Sequence, residues 1–129
     1  MVKLEKVTFS YSGGKPIFDQ FDWEIGDGQS WAVLGPSGCG KTTLLYLLAG
    51  LILPQSGNII IDGQVLTRPR PQTGLVLQDY GLLPWATVAQ NVKLGLQVRG
   101  FYGPDGKHAP AVATPTQAPD FWLHRLGIT

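Results

Sequence analysis

The glycine-rich stretch GPSGCGKTTLL, residues 35–45, is the most informative part of this 129-residue chain. It fits the pattern Gly-x-x-x-x-Gly-Lys-Ser/Thr in full, with Lys41 and Thr42 at its end. The apolar run before it, SWAVLG, is typical of a strand buried on both faces. Residues 41–51 after it are apolar on nearly every side and predict a core helix. This strand–loop–helix order predicts a phosphate-binding loop.

Each residue type in this loop suits a phosphate group. Glycines let successive backbone N–H groups, from about Gly38 to Thr43, point into one concavity, and the helix N-terminus adds positive potential there. The Lys41 side chain can reach β- and γ-phosphates, the Thr42 hydroxyl suits Mg²⁺, and Thr43 offers a further donor, for an α-phosphate. The predicted nucleotide-binding residues here are Gly35, Pro36, Ser37, Gly38, Cys39, Gly40, Lys41, Thr42 and Thr43.

Length and composition limit the classes of protein to which the chain can belong. A chain of 129 residues is long enough for one domain with a real core. The net charge of +1 comes without a basic run, which argues against binding to nucleic acid. Cys39 is the single cysteine, so no internal disulfide is expected and a reducing compartment fits. The longest uncharged apolar run, residues 44–53, is shorter than the roughly 18 residues of a membrane span.

The first half of the chain predicts several strands. VKLEKVTFSY alternates in character, which sets Leu4 on the face opposite Val7. IFDQFDWEI predicts a second strand with Phe21 and Trp23 on one face and Phe18 on the other. NIIIDGQVL is typical of a hairpin with a two-residue Asp-Gly turn. TGLVLQ predicts a further buried strand.

The second half is less regular. Thr87 can cap a helix over residues 87–97. Residues 100–118 are rich in Gly, Pro, Ala and Thr and predict a long loop. A short terminal helix is expected over residues 119–129, where DFWLHRLGI lies.

Four segments in this order resemble the ATP-binding subunits of ABC transporters. They are VTFSYSGG, GPSGCGKTTLLYLLAGLILPQSG, NIIIDGQ and LVLQDYGLLPWATVAQNV. The run RPRPQTGLVLQ followed by QDYGLLPW resembles most the importers of nitrate, sulfonate and taurine-like anions. The resemblance covers residues 1–99 and weakens afterwards.

The resemblance implies ATP and Mg²⁺ as ligands and adds two residues to the site. Tyr11 lies at the position whose aromatic ring stacks on adenine, and Gln78 at the position that senses Mg²⁺ and the γ-phosphate, so Thr42 and Gln78 become the expected magnesium ligands. Both residues also have simpler interpretations. Tyr11 can be an ordinary packed or half-exposed strand residue, and Gln78 a strand-end side chain that hydrogen-bonds a turn.

The resemblance also implies protein partners. A membrane permease would contact the loop formed by Leu82, Leu83, Pro84 and Trp85, and a second ATP-binding subunit would complete a head-to-tail dimer. The protein would then lie on the cytoplasmic face of the membrane. In the alternative interpretation Trp85 is buried and fixes its own loop.

The chain departs from the family pattern downstream of Gln78. It contains no LSGGQ signature and no apolar strand ending in Asp-Glu, so no catalytic residue is identified. The expected fold is therefore α/β: the N-terminal part of an ABC-type P-loop NTPase domain, with antiparallel strands and the P-loop core but without the C-terminal strands and signature region. Residues 1–129 would form one incomplete domain in which SWAVLG has an unpaired edge.

The expected function is ATP binding, coupled in the intact protein to hydrolysis and to import of a small solute. One alternative is a non-catalytic nucleotide-binding module that docks on a permease. A less favoured alternative is a small-molecule P-loop kinase, which leaves the segments around Tyr11 and Gln78 unexplained. Turnover of ATP separates the module from an enzyme, and co-purification with a permease separates it from a kinase.

Overall fold

The computed structural model describes residues 1–102 and 119–128. The chain divides into two compact units, Met1–Thr73 and Gly74–Thr129. The first unit contains β1 (Val2–Phe9), β2 (Phe18–Ile25), α1 (Lys41–Ala49), β3 (Ser56–Ile61) and β4 (Gln64–Val65). The second unit contains α2 (Val88–Tyr102) and α3 (Pro119–Arg125).

The strands of the first unit form one antiparallel sheet in the order β2-β1-β3-β4. The first strand is central, since Val2 pairs with Ile25 on one side and with Ile61 on the other. The predicted hairpin is confirmed: Asp62 and Gly63 join β3 to β4 with φ angles of 53° and 76°. Two successive positive φ angles are characteristic of the tight turn that matches strand twist.

A β-bulge in β1 changes which side chains share a face. Lys6 has a φ of 50°, and the pairing register with both neighbouring strands shifts around it. The extra residue reverses the alternation, so Leu4 and Val7 are both buried on the helix side. The prediction that they lie on opposite faces is therefore wrong. Gly57 faces this bulge, and a Cβ there would lie 2.3 Å from the Lys6 carbonyl oxygen.

A second bulge occurs in β2. Gln20 has a φ of 48°, and the register with β1 shifts between Val7 and Phe9. As a result Phe18 and Phe21 both pack against the core, although strict alternation predicts that they point in opposite directions. Bulges of this kind leave no mark in a two-residue hydrophobic pattern.

Helix α1 packs one side against the sheet. Leu47 is fully buried, and the N–H of Gly50 ends the helix by donating to the Leu47 carbonyl. Leu45, however, is 48% exposed, so the prediction of a helix buried on nearly every side is wrong for this face. The buried apolar core consists of Leu4, Val7, Phe9, Leu44, Leu47, Ile59, Ile61 and Leu66.

Two apolar runs predicted as buried strands are not strands. Neither SWAVLG nor TGLVLQ has strand pairing, and Leu34 and Val76 are 91% and 83% exposed. Within the described ranges no strand lies beside either run. A doubly buried strand needs hydrogen-bonding neighbours for its backbone on both sides. The expectation of a SWAVLG strand with one unpaired edge is therefore also wrong, because the segment forms no strand.

In the second unit, the Lys93 ammonium group lies 3.2 Å from the Asp120 carboxylate, which links α2 to α3. Helix α2 runs to Tyr102, so the predicted helix end at residue 97 and the loop start at residue 100 are wrong. The rest of that predicted loop, residues 103–118, lies outside the described residues. None of the helices that the structure describes has the length and apolar character needed to cross a membrane.

Candidate functional site

The glycine-rich loop makes a tight turn into α1. Gly38 and Gly40 have φ angles of 80° and 98°, and Gly40 is the residue that caps the helix N-terminus. A side chain on Gly40 would also meet the Ile17 side chain at 2.5 Å. Glycine therefore allows both the left-handed backbone and the close approach to the strand beside it.

The N-terminus of α1 is open to an anion. Its N-cap residue forms no side-chain hydrogen bond, and the first turn carries no acidic residue. The first amide groups of a helix have no acceptor within the helix, and the helix dipole gives that end a positive potential. Phosphate oxygens therefore fit this end of α1 both as hydrogen-bond acceptors and as negative charges.

The Lys41 side chain lies back over the loop that precedes it. Its Nζ donates hydrogen bonds to the carbonyl oxygens of Gly35 at 2.8 Å and Pro36 at 2.7 Å. The Cys39 Sγ is 3.6 Å from the same nitrogen. The structure thus holds the single charge of this loop at its centre, within reach of any anion bound there.

The two threonines that follow Lys41 have different surroundings. Thr42 is exposed, so its hydroxyl is accessible to a ligand. Thr43 is only 6% exposed, and its Oγ1 lies 3.5 Å from the Tyr11 hydroxyl. The structure therefore brings Tyr11, which follows β1, next to the first turn of α1.

Tyr11 keeps half of its surface free. The side chain is 50% exposed, and its ring packs edge-on against Phe9 with centroids 4.9 Å apart. This arrangement anchors the ring and leaves a face of it accessible. It fits both interpretations of Tyr11, the stacking residue and the half-exposed residue after a strand.

Gln78 belongs to the second unit, whereas Thr42 belongs to the first. It is exposed and lies in a turn, in which the Tyr80 N–H donates to the Leu77 carbonyl at 3.0 Å. No strand precedes it, so the interpretation as a strand-end residue does not hold. Its role as a magnesium ligand stays a prediction.

The loop of residues 82–85 presents apolar side chains to solvent. Leu82 is 61% and Trp85 is 80% exposed, so the alternative of a buried Trp85 is wrong. The loop leads into α2, whose predicted cap is confirmed: the Gln90 N–H donates to Thr87 Oγ1, and the Thr87 N–H to Gln90 Oε1.

Sequence reasoning missed Asn91, whose side chain hydrogen-bonds the backbone of this loop. It also missed an apolar groove of about 400 Å³ in the first unit, beside Lys41. There Trp23 and Trp31 pack edge to face with centroids 5.6 Å apart. The groove went unpredicted because SWAVLG was expected to be a strand buried on both faces. Its apolar lining residues are Trp23, Ile25, Trp31, Val33, Leu44, Leu45 and Leu48.

Within the part of the chain that the structure describes, the ionisable groups with a shifted pKa lie in the sheet or next to its ends. A hydrogen bond from Arg70, and then one from the amino group of Met1, lowers the pKa of Asp62. Hydrogen bonds from the side chain and backbone of Lys6 lower the pKa of Asp22 in the same way. Among the residues that can be described, no group of three or more His, Cys, Asp or Glu side chains could hold a metal ion.

The sequence model of a family described as "ABC transporter" matches residues 18–129. The chain belongs to the ABC transporter family. It is 47% identical over 100 residues to a taurine import ATP-binding protein of Escherichia coli O157:H7, covering 78% of this chain and 39% of that protein. An ABC transporter ATP-binding protein of Methanocaldococcus jannaschii is 40% identical over 102 residues, covering 77% of this chain and 38% of that protein.

Solved structures of ABC transporter cassettes share the fold. A dimeric cassette bound to ADP and phosphate superimposes with a TM-score of 0.73 at 25% identity, covering 98% of this chain and 56% of that one. A dimeric bacterial cassette gives a TM-score of 0.67 at 29% identity, covering 76% and 47%. The predicted fold class, the N-terminal part of an ABC-type P-loop domain, is therefore confirmed.

The chain spans only 34–39% of the length of the curated relatives that it matches. Intact members of the family hydrolyse ATP. The resemblance to importers of taurine-like anions is also confirmed, since taurine import ATP-binding proteins are among the similar proteins.

Proposed function

We propose that the chain is the N-terminal part of the ATP-binding subunit of an ABC importer for a small anionic or zwitterionic solute of the nitrate, sulfonate or taurine kind. The observation that carries the proposal is Lys41, held at the centre of a glycine loop that opens onto an uncapped helix N-terminus. Similarity to taurine import ATP-binding proteins supports the solute class.

The loop binds the phosphates of ATP. Backbone N–H groups from Gly38 to Thr43 donate to phosphate oxygens, while Lys41 exchanges the carbonyls of Gly35 and Pro36 for a phosphate. Tyr11 stacks on the adenine ring and contributes about 0.5–1.5 kcal/mol, as an aromatic pair does. Cys39 contributes its backbone N–H.

The metal expected with ATP is Mg²⁺, which the Thr42 hydroxyl and the Gln78 side chain would hold. When bound, it neutralises charge on the phosphates. The exposure of both side chains supports this assignment. The Thr42 hydroxyl keeps its proton in the physiological pH range, and the Gln78 amide is neutral. Both side chains would therefore orient the ion rather than balance its charge.

The partners are a membrane permease and a second ATP-binding subunit. The exposed loop of residues 82–85 docks on the permease, which places the protein on the cytoplasmic face of the membrane. The dimeric state of the similar cassettes supports the second subunit. Each subunit then binds one ATP against its own P-loop.

Equilibrium dialysis with Mg·ATP tests the phosphate site. Lys41→Ala should weaken binding at least tenfold, because it removes the only cation that the structure places on the loop within the described ranges. Lys3→Ala is the matched control, since it removes a lysine of the first unit that pairs with Glu5. Equal affinity of wild type and Lys41→Ala, with both folded by circular dichroism, would refute the site.

Phosphate release separates an enzyme from a binding module. We expect this 129-residue chain to bind ATP without steady-state turnover, because its sequence holds neither LSGGQ nor a strand ending in Asp-Glu to position water. Steady release of phosphate that disappears in Lys41→Ala would contradict this part of the proposal and leave the binding site in place.

A further inference from the structure

We infer that Asn91 is a positioning residue that fixes the shape of the docking loop, residues 82–85, before the partner binds. The inference rests on the proposed function, since it takes the permease as the partner of this loop. It concerns a residue whose side chain hydrogen-bonds the loop backbone.

Both the oxygen and the nitrogen of the Asn91 side-chain amide form hydrogen bonds. Its Oδ1 accepts a hydrogen bond from the Leu83 N–H at 2.7 Å. Its Nδ2 lies 3.1 Å from the Leu83 carbonyl, 3.2 Å from that of Ala86 and 3.1 Å from that of Thr87. One side chain thus connects the loop, the residue after the loop and the first turn of α2.

Asparagine is suited to this task by its chemistry. Its amide supplies an acceptor and two N–H donors on one rigid plane, whereas aspartate supplies acceptors alone and leucine neither. The loop N–H and C=O groups would otherwise need water or a partner. The Ala86 N–H, which donates to the Leu83 carbonyl at 3.1 Å, closes the same turn.

The shape that Asn91 fixes directs apolar side chains outward. Leu82 and Trp85 remain 61% and 80% exposed, while the Leu83 N–H and carbonyl between them are both hydrogen-bonded to Asn91 of α2. A large exposed aromatic side chain on an ordered backbone is typical of an interface anchor. A loop that is already ordered loses little conformational entropy on binding, which favours affinity.

The chemistry of the surface indicates an apolar partner. The sequence LLPWATVAQNV, residues 82–92, carries no charged side chain. Val88 and Val92 on the next turns of α2 are also exposed, at 52% and 43%. We therefore assign the occupant as an uncharged, apolar segment of a permease, in keeping with a protein whose bulk lies in lipid.

The test measures binding and loop order together. The probe is the membrane-embedded part of the Escherichia coli taurine importer in lipid nanodiscs, and loop order is followed by hydrogen exchange at the Leu83 amide. Asn91→Ala should bind about tenfold more weakly, mainly through a slower association rate, with Leu83 exchange at least tenfold faster. Asn91→Asp should also bind more weakly, since its carboxylate faces three carbonyl oxygens.

Two control variants distinguish the effect of the Asn91 hydrogen bonds from the effects of the exposed apolar side chains and of helix capping. Trp85→Ala should abolish binding while the Leu83 amide stays protected. Gln90→Ala removes the cap partner of Thr87 on the same turn of α2 and should leave binding and Leu83 protection unchanged. Far-UV circular dichroism and the thermal unfolding of each variant serve as the check that it is folded.

The outcomes decide the inference in each case. Wild-type binding by Asn91→Ala overturns it, and so does weakened binding with an unchanged Leu83 exchange rate or an equal effect of Gln90→Ala. If the wild-type chain does not bind this permease, the docking part of the proposed function fails. Faster exchange of the Leu83 amide in Asn91→Ala then still supports the positioning role of Asn91, and an unchanged exchange rate overturns it.

Discussion

Two kinds of apolar segment in the first unit differ in how far their side chains are buried. Strands β1 and β3 bury apolar side chains in a four-stranded sheet, with Val7 and Ile59 0% and 1% exposed. Residues 30–35, SWAVLG, are at least as apolar and are exposed along their whole length. Hydrophobicity alone therefore does not make a strand in this protein.

The difference lies in where the pairing partners are. Strands β1 and β2 pair across a short connection, and the Asp62–Gly63 turn brings β4 back onto β3. Strand β1 also pairs with β3, which lies far along the chain, and every strand pair within the described residues is antiparallel. Residues 30–35 have the composition of a strand from a parallel sheet, whose neighbours are reached only through long crossover connections.

The largest effect is expected where the bulge of β1 meets β3. Gly57→Ala should destabilise the first unit by about 3 kcal/mol or more, because its Cβ would collide with the Lys6 backbone and the residue has a φ of 81°. Gly63→Ala, at a similar φ but in open space, should cost about 1–2 kcal/mol. Urea unfolding measures both, and equal costs would show that the bulge contact is unimportant.

The second prediction compares the two apolar regions directly. Leu47→Ala should cost about 2–5 kcal/mol, because Leu47 is fully buried against the sheet. Leu34→Ala, in the exposed SWAVLG segment, should change the free energy of unfolding by less than about 0.5 kcal/mol. A cost for Leu34→Ala close to that of Leu47→Ala would mean that SWAVLG is buried in solution.

The smallest effect concerns the charges at the hairpin turn. The lowered pKa of Asp62 means that its carboxylate adds stability above its unfolded pKa of about 4, and that this stability is lost as the pH falls through the lower folded value. Asp62→Asn should therefore flatten the fall in Tm on acidification. Because the group is exposed, the change should be small and should shrink in high salt.

The sequence identified the local features of the fold and missed those that depend on distant pairing. The Asp-Gly hairpin, the Thr87 cap and the start of α1 were predictable, since each depends on residues next to one another. The bulges at Lys6 and Gln20 were not, because a non-glycine residue at positive φ has no reliable signature.

The residues of the candidate site also fall into those that the sequence predicted and those that it did not. The glycine loop and Lys41 were readable from spacing alone, whereas the position of Tyr11 beside Thr43 leaves its adenine role a prediction. Asn91 escaped notice because its hydrogen bonds go to backbone groups, which every residue carries. Only the folded arrangement shows that four of them meet at one side chain.

The central place of β1 also affects how the protein is made. Its pairing with β2 can form once Ile25 has left the ribosome, but its other edge stays open until β3 follows, up to Ile61. At ordinary rates of synthesis this interval lasts roughly 2–7 seconds. During that time one edge of the nascent hairpin and its apolar face lack their partners, so this is the interval in which pairing with another chain is most favoured.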